Sequence, residues 1–143
     1  MAPRPAKRLL GKHSVAILRR AQDAQRHHHL TFSFVAVPSR DLTRALRLLV
    51  RLGLVAHVRA MAPRGVGPLA PRHVTCTLRY WEGEPLVGVM ATPMRICSYH
   101  DLTRRTKLGT GLVLLLWVQG ELVTARDCLA RRQGGLLVAT LAA

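Results

Sequence analysis

The sequence is short of acidic and aromatic residues, and it contains no long apolar run. Asp and Glu number 7 against 22 Lys and Arg in 143 residues, which gives a formal net charge of +15. A membrane-spanning helix needs roughly 18 consecutive apolar residues, whereas the longest candidate, Leu112–Val118, has seven. The few acidic residues suggest no carboxylate pair for acid–base catalysis, and the common hydrolase, zinc-protease and phosphate-loop motifs are missing. We therefore expect neither a membrane protein nor an enzyme with a small-molecule substrate.

Closely spaced metal ligands are also missing. The three cysteines, Cys76, Cys97 and Cys128, lie far apart and form no CxxC pair. An odd number of distant cysteines argues against a disulfide framework, and a zinc site needs closely paired ligands. Three consecutive histidines at 27–29 point in different directions, so they indicate a solvated loop or contacts with RNA rather than a metal site. The sequence predicts no metal and no cofactor.

Hydrophobic residues, in contrast, make up 49% of the chain, although aromatic residues make up only 4%. A disordered basic tail would lack the residues for a core, so the chain folds, and its core is built from Leu, Val and Ala. A folded protein with this excess of positive charge is typical of one whose partner is a polyanion.

The start of the chain is basic and free of acids as far as Asp23. Residues 1–12 are therefore either a short organelle-targeting segment or a basic arm that the mature protein keeps. The composition leaves both interpretations open.

Hydrophobic periodicity predicts a mixed α+β (or α/β) fold of two small domains, each with its own core. The N-terminal domain, residues 13–88, reads as α-β-α-β-β, and residues 89–143 form a β/α domain after a linker within 85–93. Thr92-Pro93 is expected to interrupt the strands there. The predicted helices cover 13–26, 39–52, 101–107 and 124–132, and the predicted strands cover 30–37, 54–58, 74–80, 86–90, 94–99, 112–117 and 136–141. The strands at 74–80 and 86–90 are expected to pair as a hairpin.

One predicted helix carries a stripe of four arginines, Arg40, Arg44, Arg47 and Arg51, at steps of four, three and four residues. Such a stripe is either the solvated face of an amphipathic helix or a surface for phosphates. Because almost no acidic residue lies nearby in sequence, the repulsion between the arginines is uncompensated unless phosphates bind.

Seven short motifs follow one another in a suggestive order across residues 15–141. They are Asp23-Ala24-Gln25; Val37-Pro38-Ser39 with Leu42; Gly53-Leu54-Val55; Thr77-Leu78-Arg79-Tyr80; Pro93 with Arg95; Gly109-Thr110-Gly111-Leu112; and Thr124 and Arg126 with Gly134-Gly135. In type, order and spacing they resemble the universal small-subunit ribosomal protein family eight, in its bacterial and organellar form.

The resemblance implies a protein that binds the central domain of the small-subunit rRNA, helps it assemble and contacts neighbouring ribosomal proteins. It implies no cofactor, no catalysis and no membrane. The basic start and the drift from the family pattern favour a mitochondrial member, located in the matrix, over a plastid or bacterial cytoplasmic one.

One departure from the family concerns the segment 116–120. The family has Ser-Thr-Ser-Lys-Gly there, with hydroxyls that contact RNA, whereas this chain has Leu-Trp-Val-Gln-Gly. We therefore expect an apolar tip that meets either a changed RNA helix or a protein. The second case corresponds to an alternative function, a basic protein–protein adaptor in a ribonucleoprotein particle with reduced RNA contact.

Thirteen residues are candidates for RNA contact. Six would neutralise phosphates: Arg19, Arg20, Arg26, Arg40, Arg44 and Arg95. The others would recognise the shape of folded RNA through side chains and backbone: Ser39, Trp117, Gln119, Thr124, Arg126, Gly134 and Gly135.

Overall fold

The computed structural model describes residues 13–62, 67, 70–107 and 112–142. The predicted N-terminal arm and the glycine motif at 109–111 lie outside the described residues. The helices are α1 His13–Arg26, α2 Arg40–Arg51, α3 Tyr99–Lys107 and α4 Ala125–Ala130. The strands are β1 Thr31–Ala36, β2 Val55–Met61, β3 Arg72–Leu78, β4 Tyr80–Trp81, β5 Glu84–Pro85, β6 Gly88–Cys97, β7 Leu112–Val118, β8 Glu121–Thr124 and β9 Gly135–Ala142. The predicted mixed α+β class is confirmed.

An antiparallel sheet with the strand order β1-β3-β2 forms the base of the N-terminal half. Strand β1 buries Phe32, Phe34 and Ala36 on one face, as its alternating pattern predicts. Helix α2 packs its apolar stripe against the same core, with Leu42 and Leu49 buried. Its arginines consequently lie on the outside.

The predicted hairpin between 74–80 and 86–90 forms only next to its turn, where Tyr80 pairs with Pro85 and Trp81 with Glu84, and its extension along both strands is wrong. Strand β3 already has β1 on one side and β2 on the other, so both of its edges are occupied. The chain makes only a two-residue ribbon, in which β4 pairs with β5, and then enters β6, which pairs with β9.

Strand β6 also runs through Thr92-Pro93 without the predicted interruption, with an irregular register between Ala91 and Arg95. A proline is tolerated there because it lies in the irregular stretch of an edge strand, where the regular pairing with β9 is interrupted. The strand stops at Cys97 rather than Tyr99. Ser98 and Asp101 exchange side-chain-to-backbone bonds at the start of α3, which ends the strand.

The second large sheet has the order β6-β9-β7-β8 and is covered on both faces. Leu115 of β7 belongs to the core shared with α1 and α2, and Leu114 and Leu116 belong to a second core under α3 and α4. A strand that is buried on both faces reads as a continuous apolar run, and this accounts for the composition of β7. Strand β8, only four residues long, was not predicted.

The larger core joins the two halves of the chain. It contains Ile17 and Leu49 from the N-terminal half together with Leu115 and Leu141 from the C-terminal half, so the expectation of one separate core per half is wrong. The start of β6 at Gly88 falls within the predicted linker. The division into two domains itself stays a prediction.

Candidate nucleic-acid interface

The start of α2 is fixed by a cap that the sequence predicts. Ser39 Oγ accepts a hydrogen bond from the Leu42 amide at 3.1 Å, and the Ser39 carbonyl accepts one from Thr43 Oγ1 at 3.0 Å. These bonds satisfy amides and hydroxyls in the first turn and set the direction of the helix. Ser39 therefore acts first as a capping residue, and the arginines that follow it are held on a rigid helix.

An open depression runs along the first two turns of α2. Its volume is about 560 Å³, and it is lined by Pro38, Ser39, Arg40, Thr43, Arg44 and Arg47. The lining combines guanidinium groups with two hydroxyls and contains no acidic side chain. We refer to these residues as the basic depression.

Within the described part of the chain, no ion pair is recorded for the arginines of the basic depression. All four arginines of the α2 stripe are exposed. The ion pair recorded in the described ranges does not involve α2. It joins Arg131 Nη1 to Glu121 Oε2 at 3.7 Å. Asp41 lies on the same helix but forms no recorded ion pair there. The arginines are thus free to bind a polyanion.

The turn between β7 and β8 lies against the start of α2. A Cβ added at Gly120 would be 3.7 Å from Asp41 Oδ2. Gln119 and Gly120 both have positive φ, at 48° and 82°, which makes the turn tight and leaves the Gln119 side chain exposed. The fold thus brings Ser39 and Arg40 to the same region as Gln119, although they are about 80 residues apart in sequence.

The apolar tip expected at 116–118 is wrong. Leu116 is fully buried in the second core, Val118 packs against that core, and Trp117 is half-buried against the larger one. Because both faces of β7 are covered, the side chains of Leu116, Trp117 and Val118 fill cores instead of forming an exposed tip. Of the predicted segment, only Gln119 is exposed.

The arginines of α1 lie at a different place. Arg19, Arg20 and Arg26 are exposed, and Arg20 Nη1 donates to the Ser33 carbonyl of β1 at 3.0 Å. Arg20 lines a depression of about 260 Å³ together with Asp23, His27 and His29. No contact with the basic depression is shown, so α1 offers a second basic surface.

The histidines after α1 form part of a solvated turn. His27 and His29 stack with 5.7 Å between ring centroids, and His27 Nδ1 lies 2.8 Å from the Asp23 carbonyl oxygen. In the described part of the chain, no group of three or more His, Cys, Asp or Glu side chains is placed to hold a metal.

Thr124 has a clear structural role at the start of α4. Its hydroxyl accepts from the Asp127 amide at 3.3 Å, and Asp127 Oδ2 accepts from the Thr124 amide at 3.4 Å. This reciprocal arrangement is the predicted capping box. Arg126 is exposed and lies in the first turn of α4, which Thr124 caps.

Gly134 and Gly135 are needed for close packing. A Cβ at Gly134 would collide with the Cys97 carbonyl oxygen, and one at Gly135 would lie 2.7 Å from Val118 Cγ2.

The side chain of Arg95, by contrast, is exposed on β6, between exposed Met94 and Ile96. Among these candidates, the glycines serve the architecture, and Arg95 remains available for contact.

Sequence reasoning missed Thr43 and left Arg47 out of the candidates. Thr43 lies one turn after Ser39, and Arg47 lies one turn after Arg44. The signal was present, because residues four apart on a helix share a face.

Burial makes Cys76 and Cys128 poor nucleophiles. It raises the pKa of the Cys76 thiol from 9.0 to about 12. The pKa of Cys128 is raised by burial and by the Asp127 carboxylate, against a lowering effect of Arg131. Thiols held protonated in this way have little of the thiolate that attacks an electrophile.

No family model and no curated protein matches the chain. No helix in the described ranges is both long and apolar enough to cross a membrane.

Proposed function

We propose that this protein is a structural component of the small ribosomal subunit, in a mitochondrial ribosome, that binds rRNA and helps it assemble. The observation that carries the proposal is the uncompensated basic depression on α2, which lies beside the polar turn at Gln119. The motif resemblance supplies the class of particle and the compartment. Neighbouring ribosomal proteins are expected as further partners.

The chemistry of the depression suits an RNA backbone. Arginines that contact phosphates release condensed counterions, so binding weakens steeply as salt concentration rises. The hydroxyls and Gln119 can contact 2′-hydroxyls and backbone atoms, which reports the shape of folded RNA rather than a paired sequence. No catalysis is involved.

The structure removes the feature that favoured the alternative function, a basic protein–protein adaptor with reduced RNA contact. That alternative depended on an apolar tip at 116–118, and Leu116 is fully buried. RNA binding through α2 is therefore the better-supported function.

The test compares two charge-matched double variants. Arg40→Glu with Arg44→Glu changes the basic depression, and Arg59→Glu with Arg104→Glu changes two exposed arginines elsewhere. A new carboxylate at position 40 is favourable near a helix N-terminus, whereas one at position 44 is repelled by Asp41 three residues before it. Far-ultraviolet circular dichroism of both double variants therefore checks that the fold is kept before binding is compared. Fluorescence anisotropy would measure affinity for a fragment of the small-subunit rRNA central domain between about 50 and 200 mM salt.

We expect the first variant to bind at least about tenfold more weakly, with a salt slope smaller by about 1 to 2. The control variant should lose clearly less affinity. Equal losses in the two variants, or no loss in either, would refute α2 as the binding face.

A second variant separates shape recognition from charge. Gln119→Ala leaves the charge unchanged, so we expect it to weaken binding to the rRNA fragment while sparing a random RNA of equal length. A similar loss on both RNAs would mean that the β7–β8 turn does not contribute specificity.

A further inference from the structure

A groove lies along α2 on the side where the helix meets β2, and its chemistry differs from that of the basic depression. Its volume is about 630 Å³. Leu46 and Val50 of α2 form one wall, and Ala56, Val58 and Ala60 of β2 form the other. We call this feature the α2–β2 groove.

The apolar wall on β2 belongs to the core side of the sheet. In the register, Val58 lies opposite Cys76 and Ala60 lies opposite Val74, and both β3 residues are buried in the core. Directly opposed residues of an antiparallel pair point to the same face. Val58 and Ala60 therefore face the side that a sheet normally covers.

Helix α2 covers only the beginning of β2. Val55 is 1% exposed, but Val58 is 37% exposed, and Val50 on the helix is 40% exposed. Strand β2 is also an edge strand of its sheet, since it pairs with β3 alone among the described strands. Contiguous apolar surface of this kind is typical of a binding site.

The ionisable side chains that line the groove are all basic. Arg47 and Arg51 lie along the helix side, and His57 and Arg72 lie along the strand side. No acidic residue lines the groove. Electrostatic complementarity therefore favours an occupant with acidic side chains at its margins and apolar side chains at its centre.

RNA does not fit the floor of this groove. The guanidinium groups and the imidazole of the lining suit phosphates as well as carboxylates, but most of the lining consists of Ala, Leu, Val and Pro side chains. The walls formed by Leu46, Val50 and Val58 offer no ring for a base to stack on and no polar partner for the RNA backbone. An apolar floor gains from apolar side chains, which proteins have and phosphates lack.

We propose that the α2–β2 groove docks a segment of a different protein, with apolar side chains against Val50 and Val58 and acidic side chains against Arg51 and Arg72. Helix α2 then separates two partners. RNA binds the basic depression, a protein binds the groove, and Pro38, Thr43 and Arg47 line both surfaces. The groove proposal does not depend on the identity of the RNA.

Site-specific photocrosslinking tests the proposal. A benzophenone amino acid replaces Val50 in the groove, or Val35 as a control, in full-length protein expressed in its own cells. Val35 is 58% exposed on β1 and does not line the groove. After irradiation, adducts are purified under denaturing conditions, and the crosslinked peptides are mapped by mass spectrometry.

We expect the Val50 position to crosslink to another protein, within a segment that combines apolar and acidic residues, and the Val35 position not to do so. Adding Arg51→Glu should reduce the adduct about tenfold. Adding Arg40→Glu and Arg44→Glu should leave the adduct unchanged. That result separates the groove from the proposed RNA function, because the same pair of substitutions is expected to abolish most RNA binding.

Four results would overturn the proposal: an RNA adduct at Val50, an adduct to this chain itself, a partner segment without acidic residues, or no adduct. Co-sedimentation with ribosomal subunits, measured in the same cells, tests the proposed function on its own.

Discussion

At the scale of single residues, the atoms around positions 134 and 135 leave room only for glycine. Gly134 lies against the Cys97 carbonyl, and Gly135 lies against the side chains of Val118 and Leu116. Backbone at the end of β6 cannot move aside as a flexible side chain can. The pair therefore lets β9 pack closely between β6 and β7.

Gly134→Ala should lower the free energy of unfolding by about 1–3 kcal/mol, because the added methyl group overpacks the end of the sheet. Gly67→Ala is the matched control, since a Cβ there meets nothing within 4 Å. Urea denaturation midpoints measure both variants. If Gly134→Ala is as stable as Gly67→Ala, the close approach to Cys97 is not a constraint.

Cys76 makes stability depend on pH in the alkaline range. Burial raises its pKa from 9.0 to about 12. Below pH 9 the thiol is protonated in both the folded and unfolded states, so its contribution is constant. Between about pH 9 and 12 only the unfolded chain ionises, and the free energy of unfolding falls by up to about 1.4 kcal/mol per pH unit.

Cys76→Ala should therefore show a shallower loss of stability over this alkaline range than the wild type does. The measurement is a series of urea denaturation curves from pH 8 to 11. At each pH the free energy of unfolding of the variant is subtracted from that of the wild type, so that the contributions of the other titrating groups cancel. Parallel curves for the two proteins would contradict the assigned pKa.

At the scale of elements, α1 is joined to β6 by two glutamines. Gln25 Nε2 donates to the Val87 carbonyl at 2.8 Å, Gln25 Oε1 accepts from the Val89 amide at 3.0 Å, and Gln22 Oε1 accepts from the Ala91 amide at 3.2 Å. An amide side chain has the same donor and acceptor as a peptide group. Helix α1 thus satisfies part of the free edge of β6, which would otherwise be open to another strand.

Gln25→Ala should cost about 1–3 kcal/mol, since it leaves both the Val87 carbonyl and the Val89 amide without this partner. Arg19→Ala on the same helix, at an exposed position, should change stability by less than about 0.5 kcal/mol. Thermal unfolding followed by circular dichroism would distinguish them. Equal stabilities would show that water replaces Gln25 at no cost.

At the scale of the whole molecule, the shared core couples the two halves. Leu49 of α2 and Leu115 of β7 belong to one buried cluster, and Trp117 packs against it from the C-terminal half. A cavity made in one half should therefore weaken the other.

Leu49→Ala should lower stability by about 2–5 kcal/mol, and the loss should be seen equally by two probes. In a Trp81→Phe background, Trp117 fluorescence reports the C-terminal half, and far-ultraviolet circular dichroism reports the whole chain. Both midpoints should shift together. If the Trp117 transition stays in place while the other moves, the halves unfold as independent domains.

Short sequence patterns predicted the features that depend on residues close together in the chain, such as helix caps. Ser39 caps α2 and Thr124 pairs with Asp127 because a cap involves residues three positions apart, which a sequence shows directly. The pairing of β6 with β9 joins residues that lie between 38 (Cys97 and Gly135) and 54 (Gly88 and Ala142) positions apart, and no short pattern encodes it. Adjacency in the chain instead suggested the hairpin with β3, whose two edges are filled by β1 and β2.

The candidate site divides in the same way. The α2 stripe was predictable because its arginines lie four, three and four residues apart on one helix. The position of Gln119 beside α2 and the burial of Leu116 were not predictable, since each depends on how the second sheet packs against the first half. Nor does a sequence show that α2 stops short of covering Val58.

The sequence by itself determined the charge, the mixed class, the start of α2 and the arginine face, because composition and short-range periodicity carry those properties. Only the tertiary structure decided that the apolar residues at 116–118 fill cores, that Gly134 and Gly135 serve packing, and that a basic-rimmed apolar groove remains open beside α2. The physical reason is that burial is set by which surfaces meet, and surfaces meet through contacts between residues far apart in the chain.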